Sequence, residues 1–278
     1  MKKVALITGA SSGIGKDITL RLIGEGYVVY GAARRLSQMN EIVEQGGQAI
    51  EMDILKEEDI VSVVQKVMKQ EGRIDVLINN AGYGLWGAVE TLSIETARRQ
   101  FDVNIFGLAS LTKKVIPIMR AQKFGKIINM SSMGGRLYTP FGAWYHATKH
   151  ALEGWSDCLR IELKNFGIDV ILIEPGAINT NFGSVMMESM LEREKGGPYE
   201  EKVGAVYQAS YELYEKKTGS DPSVISDLIL RAINSKNPKT RYVGGRFAKP
   251  MLFIRKWFGE KAFEKAVMSQ MNDILKRK

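Results

Sequence analysis

The sequence predicts a single α/β domain built on a doubly wound parallel sheet of about seven strands, with helices on both faces. Three observations predict it. Short runs rich in Val and Ile recur along the chain, and they are apolar without alternation, as strands buried on both faces are. Longer amphipathic stretches separate them, so each strand pair needs a crossover, and crossovers of this kind are right-handed. No linker, repeat or low-complexity segment divides the chain.

In order, residues 3–8 read as the first strand and residues 14–24 as the helix after it. A second strand spans 27–32, and a helix spans 37–45 with Ser37 as its cap. Strand three is 48–52, followed by a helix at 56–70; strand four is 75–78. Residues 94–120 read as one long helix capped by Ser93. Strand five (126–130), a helix (144–166) and strand six (169–173) complete the regular alternation. Helical patterns then run through Glu215 and over 221–234, residues 240–243 read as a seventh strand, and 246–278 form a helical appendage to a domain of residues 1–245.

The chain has 278 residues and is 45% hydrophobic, enough to bury a core without disulfides or metals. One cysteine, Cys158, allows no internal disulfide and suits a reducing compartment; its apolar helical surroundings suggest a small core residue rather than a nucleophile. Met1-Lys2-Lys3 before Val4-Ala5-Leu6-Ile7 looks like the start of a signal peptide, but the run stops at Thr8-Gly9, short of the ~7–15 apolar residues required. No segment reaches ~18 uninterrupted apolar residues, so the expected location is the cytoplasm. A net charge of +8 suits an acidic cofactor, an acidic carrier or an anionic membrane surface. No long basic block or nucleic-acid module accompanies it, so nucleic acid is not expected as a partner. No His/Cys/Asp cluster has metal-ligand spacing, so no metal is expected.

After the first strand comes Thr8-Gly9-Ala10-Ser11-Ser12-Gly13-Ile14-Gly15. Glycines let backbone approach a pyrophosphate that sits on the following helix N-terminus, and Ser11 and Ser12 add hydroxyls. An ordinary βα turn is the alternative, but the position between strand and helix favours a dinucleotide. At the end of the second strand, where a carboxylate would bind the ribose hydroxyl of NAD, the sequence has Ala32-Ala33-Arg34-Arg35. Guanidinium groups match a 2′-phosphate, so the expected cofactor is NADP(H), with Arg34 the principal contact; one of the two arginines could equally be a solvated turn residue.

Tyr145 and Lys149 lie four apart on one face of a predicted helix. A tyrosine of reference pKa ~10 needs roughly 4 kcal/mol of help to titrate three units lower, which a neighbouring ammonium can supply. Alone, such a pair is ordinary amphipathicity. Its companions are the glycine loop, Asn79-Asn80-Ala81-Gly82 after strand four, Asn129-Met130-Ser131-Ser132 after strand five, and Pro175-Gly176 after strand six, in that order. Over residues 3–182 this pattern closely resembles the short-chain dehydrogenase/reductase family.

The resemblance implies a Rossmann-type fold and an oxidoreductase. It implies that Tyr145 exchanges a proton with the substrate oxygen, that Lys149 binds the nicotinamide ribose and lowers the tyrosine pKa, that Ser132 hydrogen-bonds the carbonyl oxygen, and that Asn104 serves a proton relay. Ser131 reads as structural, and His146 and His150 are assigned no role. The cofactor contacts implied are Gly9, Ser11, Ser12, Gly13, Ile14, Gly15, Arg34, Arg35, Asn80, Ala81, Gly82, Tyr145, Lys149, Pro175, Gly176, Ile178 and Thr180. Asp53 is either an adenine contact or a helix cap.

Residues 181–206 correspond to the family's substrate lid. Met186, Met187, Met190 and Leu191 would give it an adaptable apolar lining or simply pack a helix core, and Leu85 and Trp86 would form another wall. The implied substrate is an apolar or lipid-like carbonyl or secondary alcohol. The basic and apolar segment 249–258, followed by Lys261, Lys265 and Lys276-Arg277-Lys278, is similar to tails of members acting on steroid- or retinoid-like substrates. It fits a membrane interface, a cover over the chain's own pocket, or a subunit contact. The family implies a homo-oligomer. Two other functions compete: a 3-oxoacyl-carrier-protein reductase, and a catalytically idle NADP-binding sensor or scaffold.

Overall fold

A computed structural model describes residues 2–214, 216 and 218–276. Met1, Glu215, where the predicted helical run ends, and Arg277 and Lys278 of the basic terminus lie outside the described residues. Seven parallel strands form one sheet in the order β3-β2-β1-β4-β5-β6-β7. They are β1 (Val4–Thr8), β2 (Val28–Ala33), β3 (Gln48–Glu51), β4 (Val76–Asn79), β5 (Gly125–Met130), β6 (Ile168–Pro175) and β7 (Arg241–Gly244).

The non-alternating strand sequences are explained by two cores, one on each face. In β1, Val4 and Leu6 point into one, with Val63 and Val67 of α3 (Glu57–Glu71) and Leu111 and Val115 of α5 (Leu108–Gln122). Ala5 and Ile7 point into the other, with Ile18 and Leu22 of α1 (Gly13–Gly24) and Ile225 and Ile229 of α9 (Ser223–Asn234). Each fully buried Leu or Ile contributes about 1.5–3 kcal/mol. Chain order reverses between β1 and β4, so their C-terminal ends, Thr8 and Asn79, diverge and open a crevice. The buried amide of Asn79 spans the sheet there, donating to Asn129 Oδ1 (2.9 Å) and Thr112 Oγ1 (2.9 Å).

Three local expectations need correction. Ser37 caps nothing: a 3₁₀ turn (Leu36–Met39) precedes a short α2 (Asn40–Glu44), and the tighter winding seats Met39 and Ile42 on the sheet. The long helix is interrupted; α4 (Ile94–Phe101), capped by the Ser93 hydroxyl as expected, passes through a π-helical segment (Asp102–Gly107) before α5. Gly107 permits this, because a Cβ there would lie 2.6 Å from the Ile54 carbonyl. The expected helical patterns after β6 are two helices, α7 (Asn181–Glu194) and α8 (Glu200–Tyr214), separated around Gly196-Gly197-Pro198. Finally, Cys158 is exposed on α6 (Ala143–Leu163), whose inward positions nearby are Ser156 and Leu159. The last helix, α10 (Ala248–Lys276), is bent at Gly259 (φ 78°, ψ −172°), a conformation open to glycine.

Candidate active site

A cleft of about 1190 Å³ opens over the C-terminal ends of the strands. Its first end is the glycine loop. Gly9 has φ +69°, and a Cβ on Gly15 would stand 2.2 Å from the Gly9 carbonyl oxygen and 2.4 Å from the Asn80 side-chain nitrogen. Such close approach fits a dinucleotide pyrophosphate laid on the α1 N-terminus. Asn80 braces the turn by donating to the Thr8 carbonyl (3.0 Å), while the Thr8 hydroxyl accepts from the backbone N–H groups of Asn80 and Ala81.

Gly9, Ser11, Ser12, Gly13, Ile14, Gly15, Asn80, Ala81, Gly82, Pro175, Gly176, Ile178 and Thr180 all line this cleft, as do Arg34, Arg35 and Asp53. Both arginines are exposed beyond β2, where no carboxylate stands. Asp53 is not the cap of α3; Lys56 holds that position, and Asp53 Oδ1 instead accepts from the Leu55 N–H at 3.1 Å. Thr180 caps α7 through its hydroxyl.

Midway along the cleft stand Ser132, Tyr145 and Lys149. Ser132 follows β5, and its Oγ accepts from the Gly134 N–H (3.0 Å). The Lys149 ammonium lies 5.8 Å from the centre of the Tyr145 ring, one turn away on α6. It donates to the Met130 carbonyl at 2.8 Å. Burial pushes its pKa down to about 8, against the pull of Glu153 one turn further on. A lysine with so little solvation is held as a directed donor rather than a swinging surface charge. Trp86 packs on Tyr145 (centroids 4.6 Å apart), and Phe182 of α7 approaches it at 5.9 Å.

Asn104 is not on the cleft wall. The π-helical segment turns it inward, and its amide accepts from the Tyr83 N–H (3.1 Å) and donates to the Tyr83 carbonyl (3.0 Å) and to Thr148 (3.2 Å). It ties the loop after β4 to α6, directly behind Tyr145.

Several residues at the site carried no local sequence signal. His146 Nε2 accepts the Thr139 backbone N–H (3.0 Å), which places the proton on Nδ1, and Nδ1 donates to the Gly134 carbonyl (2.9 Å). Burial lowers its pKa, so the ring is neutral and clamps the segment following Ser132 onto α6. Behind Lys149, Ser131 donates to Glu153, and Arg241 Nε bridges Glu153 (2.8 Å) and Glu174 (3.2 Å). At the lid, buried Glu194 accepts from the Ala88 N–H (3.1 Å) and the Thr91 hydroxyl, and Arg193 donates to the Trp86 carbonyl (2.6 Å). These partners are distant in sequence, so neither spacing nor periodicity points to them.

The far end of the cleft is apolar. Trp86, Phe182, Met186 and Met187 form one side. Met190 is fully buried and, with Leu191, packs the lid against α8 instead; Leu85 is likewise buried away from the cleft wall. α10 adds further apolar lining: Met251 from its first limb, and Phe263, Val267 and Met271 from the second. Among the described residues no helix is long and apolar enough to cross a membrane, and no group of three or more His, Cys, Asp or Glu could hold a metal ion.

Known proteins share this architecture. A family model described as short chain dehydrogenase matches residues 3–190. The chain is 35% identical over 241 residues to a 3-ketodihydrosphingosine reductase of Bacteroides thetaiotaomicron, covering 86% of each protein. It superposes on a short-chain dehydrogenase of Streptomyces avermitilis with a TM-score of 0.81 and 32% identity, over 100% of this chain and 99% of that one. A structure of a single-residue variant of the actinorhodin polyketide ketoreductase with NADPH is similar at a TM-score of 0.74 and 28% identity, over 87% of this chain and 95% of that one.

Proposed function

This chain belongs to the short-chain dehydrogenase family, a family of oxidoreductases, and from that premise we propose that it transfers hydride between NADP(H) and an apolar or lipid-like ketone, aldehyde or secondary alcohol. The observation that carries the reading is the placement of buried Lys149 beside Tyr145, between a glycine-lined cradle and an apolar pocket. In this reading residues 1–245 carry the chemistry, and 246–278 complete the substrate end.

When bound, the nicotinamide supplies or accepts the hydride at the substrate carbon. Tyr145 gives its phenolic proton to the carbonyl oxygen during reduction, or takes it back during oxidation. Ser132 donates to the same oxygen and stabilises the charge developing there. Lys149 holds a ribose hydroxyl and keeps positive charge next to the phenol. Asn104 acts by positioning the Tyr83 loop against α6 behind Tyr145, the place from which it would support a proton relay. Trp86 and Phe182 exclude water from the reacting carbon.

Family structures carry NADH as well as NADPH, so the cofactor preference is read from the end of β2. Arg34, with Arg35 beside it, offers guanidinium groups where an NAD enzyme would place a carboxylate. Arg34→Ala should weaken NADPH binding at least tenfold more than NADH binding; equal losses would contradict the assignment.

The apolar far end and the similarity to a 3-ketodihydrosphingosine reductase both support a long-chain, amphiphilic carbonyl. That tail pocket disfavours an acyl-carrier-protein thioester as the main substrate, and the complete Ser132, Tyr145 and Lys149 set disfavours an idle sensor. An NADPH-oxidation screen across long-chain ketones, steroids, retinals and acyl thioesters, with Tyr145→Phe as control, tests the reading. Turnover unchanged in the Tyr145→Phe protein would refute it. We further place the enzyme in the cytoplasm as a homo-oligomer, a state that light scattering measures directly.

A further inference from the structure

The inward face of α10 is accounted for by the cleft. Its outward face is not. Phe253, Trp257 and Phe258 are 56%, 67% and 66% exposed, although large aromatics of this kind usually find cover. They pair with one another: the Phe253 ring lies 6.4 Å from that of Trp257 and 6.1 Å from that of Phe258. The charges around them are unequal. Lys249, Lys256, Lys261 and Lys265 are all exposed, and Lys256 sits 5.1 Å from the Trp257 ring. The two acidic residues of this stretch, Glu260 and Glu264, are each engaged, one by Arg255 at 2.6 Å and the other by the Tyr138 hydroxyl at 3.1 Å. The helix therefore carries an exposed aromatic cluster together with exposed lysines, while its nearby carboxylates are engaged.

We propose that the outward face of α10 is a membrane-binding surface that seats Phe253, Trp257 and Phe258 among the headgroups of an anionic bilayer. Aromatic rings favour the headgroup level, and lysines around them favour acidic lipid. A second copy of this chain is the poorer partner, since the same lysines would face one another across a two-fold contact. The helix then joins two environments. Met251 on its inner face lines the cleft while Phe253 and Trp257 meet lipid, so a lipid-like substrate passes from bilayer to pocket along one helix; this last step rests on the carbonyl-substrate reading, and the membrane contact does not.

The full-length protein should co-sediment with vesicles of phosphatidylcholine and phosphatidylglycerol at least tenfold more strongly than with phosphatidylcholine alone. The triple variant Phe253→Ser, Trp257→Ser, Phe258→Ser and the charge variant Lys256→Glu, Lys261→Glu should each lose that binding while keeping the wild-type melting curve. Wild-type protein that stays in the supernatant with the anionic vesicles, or a triple variant that sediments as well as wild type, overturns the proposal. So does light scattering in which the triple variant dissociates a dimer, which assigns the face to a second copy. None of these readings depends on turnover.

Discussion

Replacing Lys149 by methionine should strengthen the fold while it stops the chemistry. Lys149 titrates at about 8 rather than 10.5 because its ammonium is buried, and Glu153 compensates only in part. Below pH 8 the folded and unfolded chains both hold this proton, so the full cost of burying it is present. A fall from 10.5 to about 8 corresponds to about 3 kcal/mol. Between those values the unfolded chain holds more protons than the folded one, and the unfolding free energy of the wild type climbs with pH until the cost is gone. Methionine keeps an apolar stem and removes the charge, but it abandons the Met130 carbonyl, at a cost of about 1–3 kcal/mol. The variant should therefore be about 1 kcal/mol more stable than wild type at pH 7, and less stable than wild type near pH 10.5. Urea unfolding of cofactor-free wild type and Lys149→Met at pH 7 and pH 10 measures this, because their difference cancels the groups they share. A difference that does not change with pH would refute the reasoning.

Two other substitutions probe the supports of the site. Arg241→Met removes the cation shared by the buried carboxylates of Glu153 and Glu174, leaving Glu153 with the Ser131 hydroxyl and Glu174 with Arg136 at 3.3 Å, and should cost about 3 kcal/mol at pH 7.5. Burial already raises the Glu174 pKa, so this carboxyl is better tolerated protonated, and the loss should shrink as pH falls toward 5; denaturation at both pH values checks it, and an unchanged loss contradicts it. Gly259→Ala meets no atom within 4 Å, so only its backbone is strained; about 1–3 kcal/mol should be lost from the docking of the second limb of α10, visible as faster proteolysis beyond residue 259 with the melting of the sheet unchanged.

The strands and the glycine loop were legible because their signals are local: apolar runs, turn glycines and a cap at Ser93. The pair Tyr145 and Lys149 was legible for the same reason, being one turn apart on a helix. The π-helical segment around Asn104 was not, since one extra residue in a turn leaves the apolar period of residues 94–120 almost unchanged. Nor was the His146 clamp, which needs Gly134 and Thr139 folded back across α6. Cys158 shows the converse failure: an apolar neighbourhood in sequence covered two helix faces, and its side chain fell on the outer one. The two faces of α10 were invisible as such, because the kink at Gly259 decides which residues turn toward the cleft.

That kink also divides the enzyme along its length. The glycine-lined end of the cleft is built from residues between Gly9 and Thr180, whereas Phe263, Val267 and Met271 come from the second limb of α10. The two ends of the cleft are thus carried by separate parts of the sequence. In the proposed reading, a substitution on the second limb of α10 changes the substrate end of the cleft without touching its glycine-lined end.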